Sequence, residues 1–369
     1  MPGAWILMEP YHGGSHRHLA DGLAARLPPL LSAEVALWTL PARKWKWRMR
    51  GAALHFAGRW RREAPAGARG ILATSLLDAA ALRGLLPPAA RCLPLVLYCH
   101  ENQLRYPVRV DDRRDYHYAW TNIQSCLAAD RVLWNSRWNR DSFLAALPEF
   151  LRRLPDQRPE GIAEAVAAKS RVLPVPLDLA PLAAAAAAAP PRAGPCRVLW
   201  NHRWEHDKGP EEFFDAVRAL AAEGLDFTLS VLGERFAEAP PVFEAARESL
   251  GGRVAAWGYR ERREDYLAEL CRADLVVSTA RHEFQGLAVL EAAACGAAPL
   301  VPDALAYPEI WPAECRYPPG ELLPALRERI RAVDSWRGRD YAARCEPFGW
   351  EALLPVWADA LSGAADQSP

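Results

Sequence analysis

Residues 196–214 read CRVLWNHRWEHDKGPEEFF. An apolar run, 196–202, gives way to a charged loop, and Gly209-Pro210 then opens a helical pattern that lasts to about 223. Pro fits the first turn of a helix, where its missing N–H has no intrahelical partner to lose. A strand, a tight polar loop and a helix make one βα step of a parallel sheet.

The step repeats on both sides. Downstream, apolar runs at 226–233, 253–257, 274–280 and 298–302 alternate with helical patterns over 241–250, 260–272 and 286–296. Upstream, WILME (5–9), EVALW (34–38), GILATS (70–75), LPLVLYCH (93–100), RVLWN (131–135) and the short RVLPVP (171–176) do the same. Helical patterns such as SHRHLADGLAARL (15–27) separate these. Between the two series lies LDLAPLAAAAAAAPPRAGP, whose Ala and Pro without charge or periodicity read as a linker. A chain of 369 residues is too long for one ordinary core. The predicted fold class is α/β, with two tandem Rossmann-like domains over 1–176 and 196–346. Residues 177–195 join them, and a C-terminal helical segment with its tail, 347–369, closes the chain. Ligands of such sheets bind at the carboxyl ends of strands, and a cleft between the two domains is the expected site.

Composition removes several alternatives. The 45 basic and 45 acidic residues balance, and 51% hydrophobic with 24% charged residues describes a soluble globular protein. MPGAWILMEP lacks the basic and apolar regions of a signal peptide, and no run of about twenty strongly apolar residues predicts a spanning helix. None of the eight Cys forms a CxxC, which fits reduced thiols in a cytoplasmic protein. Gly-Gly and Gly-Pro break up the segments that carry the paired His residues, and no HExxH occurs, so no metal is expected.

Four stretches at strand ends carry candidate chemistry. In EPYHGGSHRHL (9–19), Gly13 and Gly14 let backbone approach a ligand, and Ser15 is placed to cap the helix; a plain βα turn reads the same way. In the opening stretch, Arg203 and Lys208 suit a diphosphate, or else pair with Glu205 and Asp207. Lys208 is one of only four lysines. In HEFQGLAVLEAAACG (282–296), Glu283 sits before a helix starting near Leu287, and Glu291 about one turn inside it. Two such carboxylates can hold hydroxyls of one extended ligand while the helix amides meet a phosphate; acidic residues at a helix start also fit the helix dipole alone. In LYCHENQLRYPV (97–108), His100 ends a strand and Glu101, Asn102 and Gln103 follow as a polar loop.

Arg203, Lys208, Glu283 and Glu291 in this setting resemble the retaining glycosyltransferases of family 4, with their two-domain GT-B fold. Together with EPYHGGSHRHL, KWKWRMRG (44–51), CHENQLRYPV and NSRWNRDSF (135–143), they are similar to the tRNA-queuosine alpha-mannosyltransferases. The resemblance spans 9 to about 310. It implies GDP-mannose as donor, the queuosine of an aspartate tRNA anticodon arm as acceptor, retention of configuration and no metal or other cofactor. It implies that the C-terminal helix returns to the first domain. By the same resemblance, Arg203 and Lys208 neutralise the leaving diphosphate. Glu283 holds sugar hydroxyls beside the amides of Phe284, Gln285, Gly286 and Leu287. Glu291 takes the ribose, Gly13 and Gly14 pack on the donor phosphates, and His100 lines the sugar site. The alternative is a family-4 enzyme with another nucleotide sugar and a lipid or polysaccharide acceptor.

One strip remains. PARKWKWRMRGAALHFAGRWRR (41–62) carries eight Lys or Arg, three Trp and no acid. Cations bind RNA phosphate, and Trp stacks on splayed bases. Lys44, Lys46, Trp47, Arg48 and Arg50, with Glu101, Asn102 and Gln103, are the predicted tRNA contacts. The competing reading is a solvated basic helix whose tryptophans lie in the core. The strip has no clean apolar face, so no membrane partner is expected.

Overall fold

The computed structural model describes residues 3–63, 65–106, 115–235 and 240–365. The chain divides into two compact units, Met1–Pro176 with Glu351–Pro369, and Leu177–Trp350.

The first unit is built on β1 (Ala4–His12), β2 (Glu34–Pro41), β3 (Ala68–Thr74), β4 (Leu95–Cys99), β5 (Arg131–Trp134) and β6 (Ser170–Val172). All neighbours pair in parallel, in the order β2-β1-β3-β4-β5-β6. The strands are near-continuous apolar runs because helices cover both faces, so Ile6, Ile71, Val96 and Val132 are all buried. The chain reverses its direction of travel across the sheet between β1 and β3, the position where such sheets bind ligands. The last helix, Trp350–Ala365, packs on this unit from Glu351 onward. Its Trp357 is fully buried with its ring 4.9 Å from that of Tyr98, and Arg171 pairs with Asp359 at 2.8 Å.

The second unit is built on β7 (Cys196–Asn201), β8 (Phe227–Leu232), β9 (Val254–Gly258), β10 (Leu275–Val277), β11 (Ala298–Pro302) and β12 (Arg316–Tyr317). Its parallel order, β12-β11-β10-β7-β8-β9, is that of dinucleotide-binding sheets, and its reversal lies between β7 and β10. Trp200, Phe213, Phe214 and Phe243 fill the core beneath that point.

Two local expectations need correction. The stretch expected as a linker holds a helix, Leu179–Ala188, with Leu182 buried in the second unit. Ala loses no side-chain entropy in a helix, so a run of it folds without needing an amphipathic pattern, and Pro190-Pro191 lie just past its end. Ser15 does not cap the first helix, Gly14–Arg26; its N-cap is Gly13, without a side-chain bond. Two elements were not anticipated: the two-residue β12, too short to show a pattern, and the helix Leu322–Arg331, whose Leu322, Leu326 and Ile330 are buried at helical spacing. The eight cysteines are free, and all but Cys92 are buried. No helix among the described residues is long and apolar enough to cross a membrane.

Candidate active site

In the second unit, β7 ends at Asn201 and the loop turns through a 3-10 segment, His206–Lys208, into the helix Pro210–Ala222. Gly209 makes the turn at φ 60, and a Cβ there would lie 2.3 Å from the Thr279 carbonyl oxygen. Only glycine fits so close to the loop that follows β10. The same loop is tied from the other side, where the amides of Arg281 and His282 donate to the Asp207 carbonyl.

This closeness buries Lys208. Its Nζ donates to the His282 carbonyl at 2.8 Å and lies 3.1 Å from Asp207 and 3.4 Å from Glu283. Glu283 Oε1 also accepts the amides of Phe284 (3.0 Å) and Gln285 (3.3 Å). Burial alone would raise the Glu283 carboxyl, but Lys208, then His202 and the amides of Gln285 and Gly286, hold it down at about 2. Gly286 (φ 80) caps the helix Leu287–Ala294, and a Cβ on it would stand 2.9 Å from the Tyr307 ring. Glu283 is therefore a fixed carboxylate beside the amide-rich start of a helix, with Phe284 and Gln285 buried next to it.

Glu291 lies within that helix. It accepts from Arg263 at 2.6 Å and from the Tyr266 hydroxyl at 3.0 Å, and Tyr266 is itself held by Asn201 at 3.2 Å. Arg203 is placed differently from Lys208: it is exposed and lies 3.2 Å from Glu205. That is the surface pairing weighed in the sequence. His202, not singled out as a site residue in the sequence, lies beside Lys208 and Glu283. It is 4% exposed, its Nε2 is buried without a hydrogen-bond partner among the described residues, and burial and then Lys208 push it down to about 4. The signal was its position, at a strand end one residue before Arg203.

In the first unit, Gly13 is extended and Gly14 is left-handed at φ 52, between β1 and its helix. Behind them lies a charge cluster that sequence reasoning missed. Glu9, wholly buried in β1, accepts the Tyr11 amide at 2.7 Å and sits 3.2 Å from His16 Nδ1. His16 Nε2 is 3.4 Å from Glu101, which accepts the Ser75 hydroxyl at 2.9 Å. The His16 and His100 rings stack with centroids 3.8 Å apart at 25°. Burial opposes charge on His16, but Glu9 and Glu101 outweigh it and raise the imidazole to about 10. Burial and then His16 drive His100 well below its usual value, and its Nε2 is buried without a partner among the described residues. A carboxylate inside an otherwise apolar strand, WILME, was the signal available.

Ligand atoms of Glu9, His16 and His100 all lie within 4.8 Å of one another. A metal bound by two imidazoles lies in the plane of each ring, and near-parallel stacked rings do not offer that. A charged His16 has no lone pair to give. This cluster is built for charge, not for an ion.

The polar loop after β4 divides. Asn102 is 1% exposed, and its amide donates to the Asn139 side chain (2.9 Å), the Asn139 carbonyl (3.1 Å) and Ser142 (3.3 Å). Asn139 and Asn135 in turn hold the Cys99 and His100 carbonyls. Asn102 is thus an anchor of the loop and not a surface contact, a correction to its predicted role. Gln103 is buried too, its backbone N–H donating to the Asn122 side-chain oxygen. Pro107 and Val108 of the motif lie outside the described residues.

The basic strip follows the edge strand β2 and forms the helix Trp45–Glu63. Its tryptophans split three ways: Trp60 is in the core, Trp45 is half-buried against Tyr118, and Trp47 is 74% exposed. Lys44 and Lys46 are exposed, and Arg50 lies over the Tyr118 ring at 5.2 Å. Arg48 donates twice to the Pro41 carbonyl and so also secures the helix start.

Residues 160–304 match the family model described as family 4 glycosyltransferase in conflict systems, and 4–177 match that of the tRNA-queuosine alpha-mannosyltransferase N-terminal region. Sucrose-phosphate synthase from Thermosynechococcus elongatus shares the fold, with TM-score 0.70 over 99% of this chain and 100% of that one at 18% identity. A GDP-mannose-dependent phosphatidylinositol dimannoside mannosyltransferase of Mycobacterium tuberculosis is 28% identical over 43% of this chain and 42% of its own length. The protein is a glycosyltransferase of the two-domain GT-B fold. The tRNA-queuosine alpha-mannosyltransferase of Drosophila melanogaster is 42% identical over 318 residues, 85% of this chain and 82% of that protein. The chain belongs to the tRNA-queuosine alpha-mannosyltransferase family.

Proposed function

We propose that the enzyme transfers mannose from GDP-mannose to the queuosine of tRNA(Asp), with retention of configuration. The observation that carries the donor half is the buried Lys208–Glu283 pair at the start of the helix Leu287–Ala294. A nucleoside diphosphate sugar presents an anion and, next to it, hydroxyls. Lys208, with Arg203 and the helix amides, neutralises the diphosphate as its charge grows on leaving. Glu283, fixed as a carboxylate, accepts from sugar hydroxyls, and Glu291 exchanges its Arg263 and Tyr266 partners for ribose hydroxyls. Lys208, Arg203 and the helix amides supply the positive charge that meets the diphosphate. Gly13 and Gly14 give the phosphates a backbone surface, and His100 meets a sugar hydroxyl. Transfer proceeds by attack on the same face as the leaving diphosphate, which takes the acceptor's proton as the sugar–phosphate bond breaks.

The acceptor half is supported by the exposed Trp47 among Lys44, Lys46 and Arg50, and by the family relationship. The decisive test is to incubate the protein with GDP-mannose and queuosine-bearing tRNA, digest to nucleosides and measure mass. A gain of one hexose on queuosine is expected. No gain there, with gain on a lipid or glycan, would replace the acceptor. Glu283→Ala is expected to abolish transfer and leave tRNA affinity unchanged.

A further inference from the structure

The donor and acceptor roles above use His100 but leave unexplained what lies against it. We propose that His16 is a positioning residue for His100: clamped as a buried imidazolium between Glu9 and Glu101, it fixes the stacked ring and keeps it uncharged. This inference rests on the reading of His100 as a ligand of the transferred sugar.

The geometry carries it. Two carboxylates face one imidazole, Glu9 at Nδ1 (3.2 Å) and Glu101 at Nε2 (3.4 Å). Both ring nitrogens then need hydrogens, and only the imidazolium has both. Glu9 cannot turn away to water, because it is wholly buried in β1. The second imidazole stacks on the face of the first at 3.8 Å, so a proton added to His100 would place two cations in contact in a buried site. The other titratable groups that meet the stack among the described residues carry no positive charge. Tyr11 of β1 meets His16 edge-on at 5.9 Å. Tyr98 of β4 meets His100 edge-on at 4.8 Å and donates its hydroxyl to the Leu173 carbonyl. Burial keeps Tyr98 and the neighbouring Cys99 in their protonated, neutral forms.

The consequence is chemical. A neutral imidazole has one donor and one acceptor nitrogen, which matches a sugar hydroxyl, itself donor and acceptor. An imidazolium would have two donors and would compete for phosphate instead. His16 thus selects a hydroxyl as the partner of His100 and removes His100 from acid–base titration near neutral pH.

The test uses the full-length protein labelled at histidine nitrogen and carbon, titrated by NMR between about pH 5.5 and 8.5, with His16→Gln and His100→Gln for assignment. His16 is expected to stay charged and His100 neutral throughout; a His16 that titrates like a free imidazole overturns the proposal. In kinetics, wild-type kcat is expected to be flat over the same range. His16→Gln removes the neighbouring cation and leaves the Glu9 carboxylate within 4.8 Å of a His100 ring nitrogen, so His100 is expected to take up a proton at higher pH than in wild type. Below its new titration point kcat should fall ~10-fold per pH unit, while KM for GDP-mannose stays within about 3-fold. His16→Arg, which restores a planar cation, should restore the flat profile. A His16→Gln profile parallel to wild type refutes the inference. If His16→Gln does not fold, Glu101→Gln removes one clamp only, and in an NMR titration of both proteins extended past the wild-type His16 value of about 10 it should move that titration to lower pH; an unmoved titration would refute the clamp. The NMR arm needs no substrate, so a protein that shows these charges yet leaves queuosine unmodified overturns the acceptor reading and not this one.

Discussion

Lys208→Met isolates the electrostatics of the donor site. The Met side chain nearly preserves volume but removes a charge that lies 3.4 Å from Glu283 and 3.1 Å from Asp207. Glu283 goes from the usual 4.5 to about 2 against the opposing effect of burial, and Lys208 is the largest of the favourable contributions. Two and a half pH units correspond to about 3 kcal/mol. Removing one partner of a buried pair costs about 3–5 kcal/mol, so the two routes agree. The sign follows from the direction of the shift. A depressed carboxyl contributes stability that is present above its unfolded value, 4.5, and is lost as pH falls toward 2. The variant should therefore be about 3 kcal/mol less stable at pH 7, and the gap should close as pH falls below 4.5. Denaturant melts of both proteins between pH 3 and 7, with Glu283→Gln and the double variant to complete the cycle, measure it. Transfer should fall about 10²–10³-fold with the loss of a group that meets the leaving diphosphate. A deficit under about 1 kcal/mol that does not change with pH would show a surface-like pair and refute the reasoning.

Three further outcomes are expected. Gly286→Ala must hold a non-glycine residue at φ 80 with its Cβ against Tyr307; a loss of about 1–2 kcal/mol in melts, with weaker donor binding by calorimetry, is expected. Reversing Arg48 and Arg50 to Glu should weaken tRNA binding and flatten its salt dependence by about one unit of slope for each phosphate no longer neutralised, with GDP-mannose affinity unchanged. His202→Asn should gain stability relative to wild type as pH falls. A histidine pushed from 6.5 to about 4 costs the folded state on acidification, so the difference should grow by about 2 kcal/mol between pH 7 and 5 in paired melts.

The parallel sheets were legible because their central strands, such as β4 and β11, are buried on both faces and so read as unbroken apolar runs; APLVP coincides to the residue with β11. Glu283, Lys208 and Gly286 were legible for a related reason. They sit where a strand pattern ends and a helix pattern begins, and few residue types fit there. What was not legible depends on contacts between distant segments. Nothing in EPYHGGSH says that Glu101, 92 residues after Glu9, will complete a clamp around His16. Asn102 looked like a reader of ligands because it is polar and at a strand end. Only the packing of the helix Arg137–Leu151 shows that its amide is already spent on Asn139 and Ser142. Trp45, Trp47 and Trp60 are one residue type in one helix, yet their burial differs according to what lies beneath each.

The two units repeat one arrangement at their separate switch points. Each buries a cation bracketed by carboxylates, Lys208 by Glu283 and Asp207, His16 by Glu9 and Glu101. Beside each cation is a histidine driven neutral, His202 and His100, with a buried Nε2 that lacks a partner among the described residues. An unpaired buried nitrogen costs the fold about 1–3 kcal/mol, a cost that a ligand hydroxyl or an ordered water at either nitrogen would remove. Their neutrality matters as much as the nitrogen they offer. A sugar at the point of transfer carries developing positive charge, which a fixed carboxylate or a neutral nitrogen tolerates and an imidazolium opposes. In each unit the carboxylates hold the cation in place, and burial, then the cation, keeps the proton off the histidine. At both switch points the charges are thereby set by the fold and not by ambient pH.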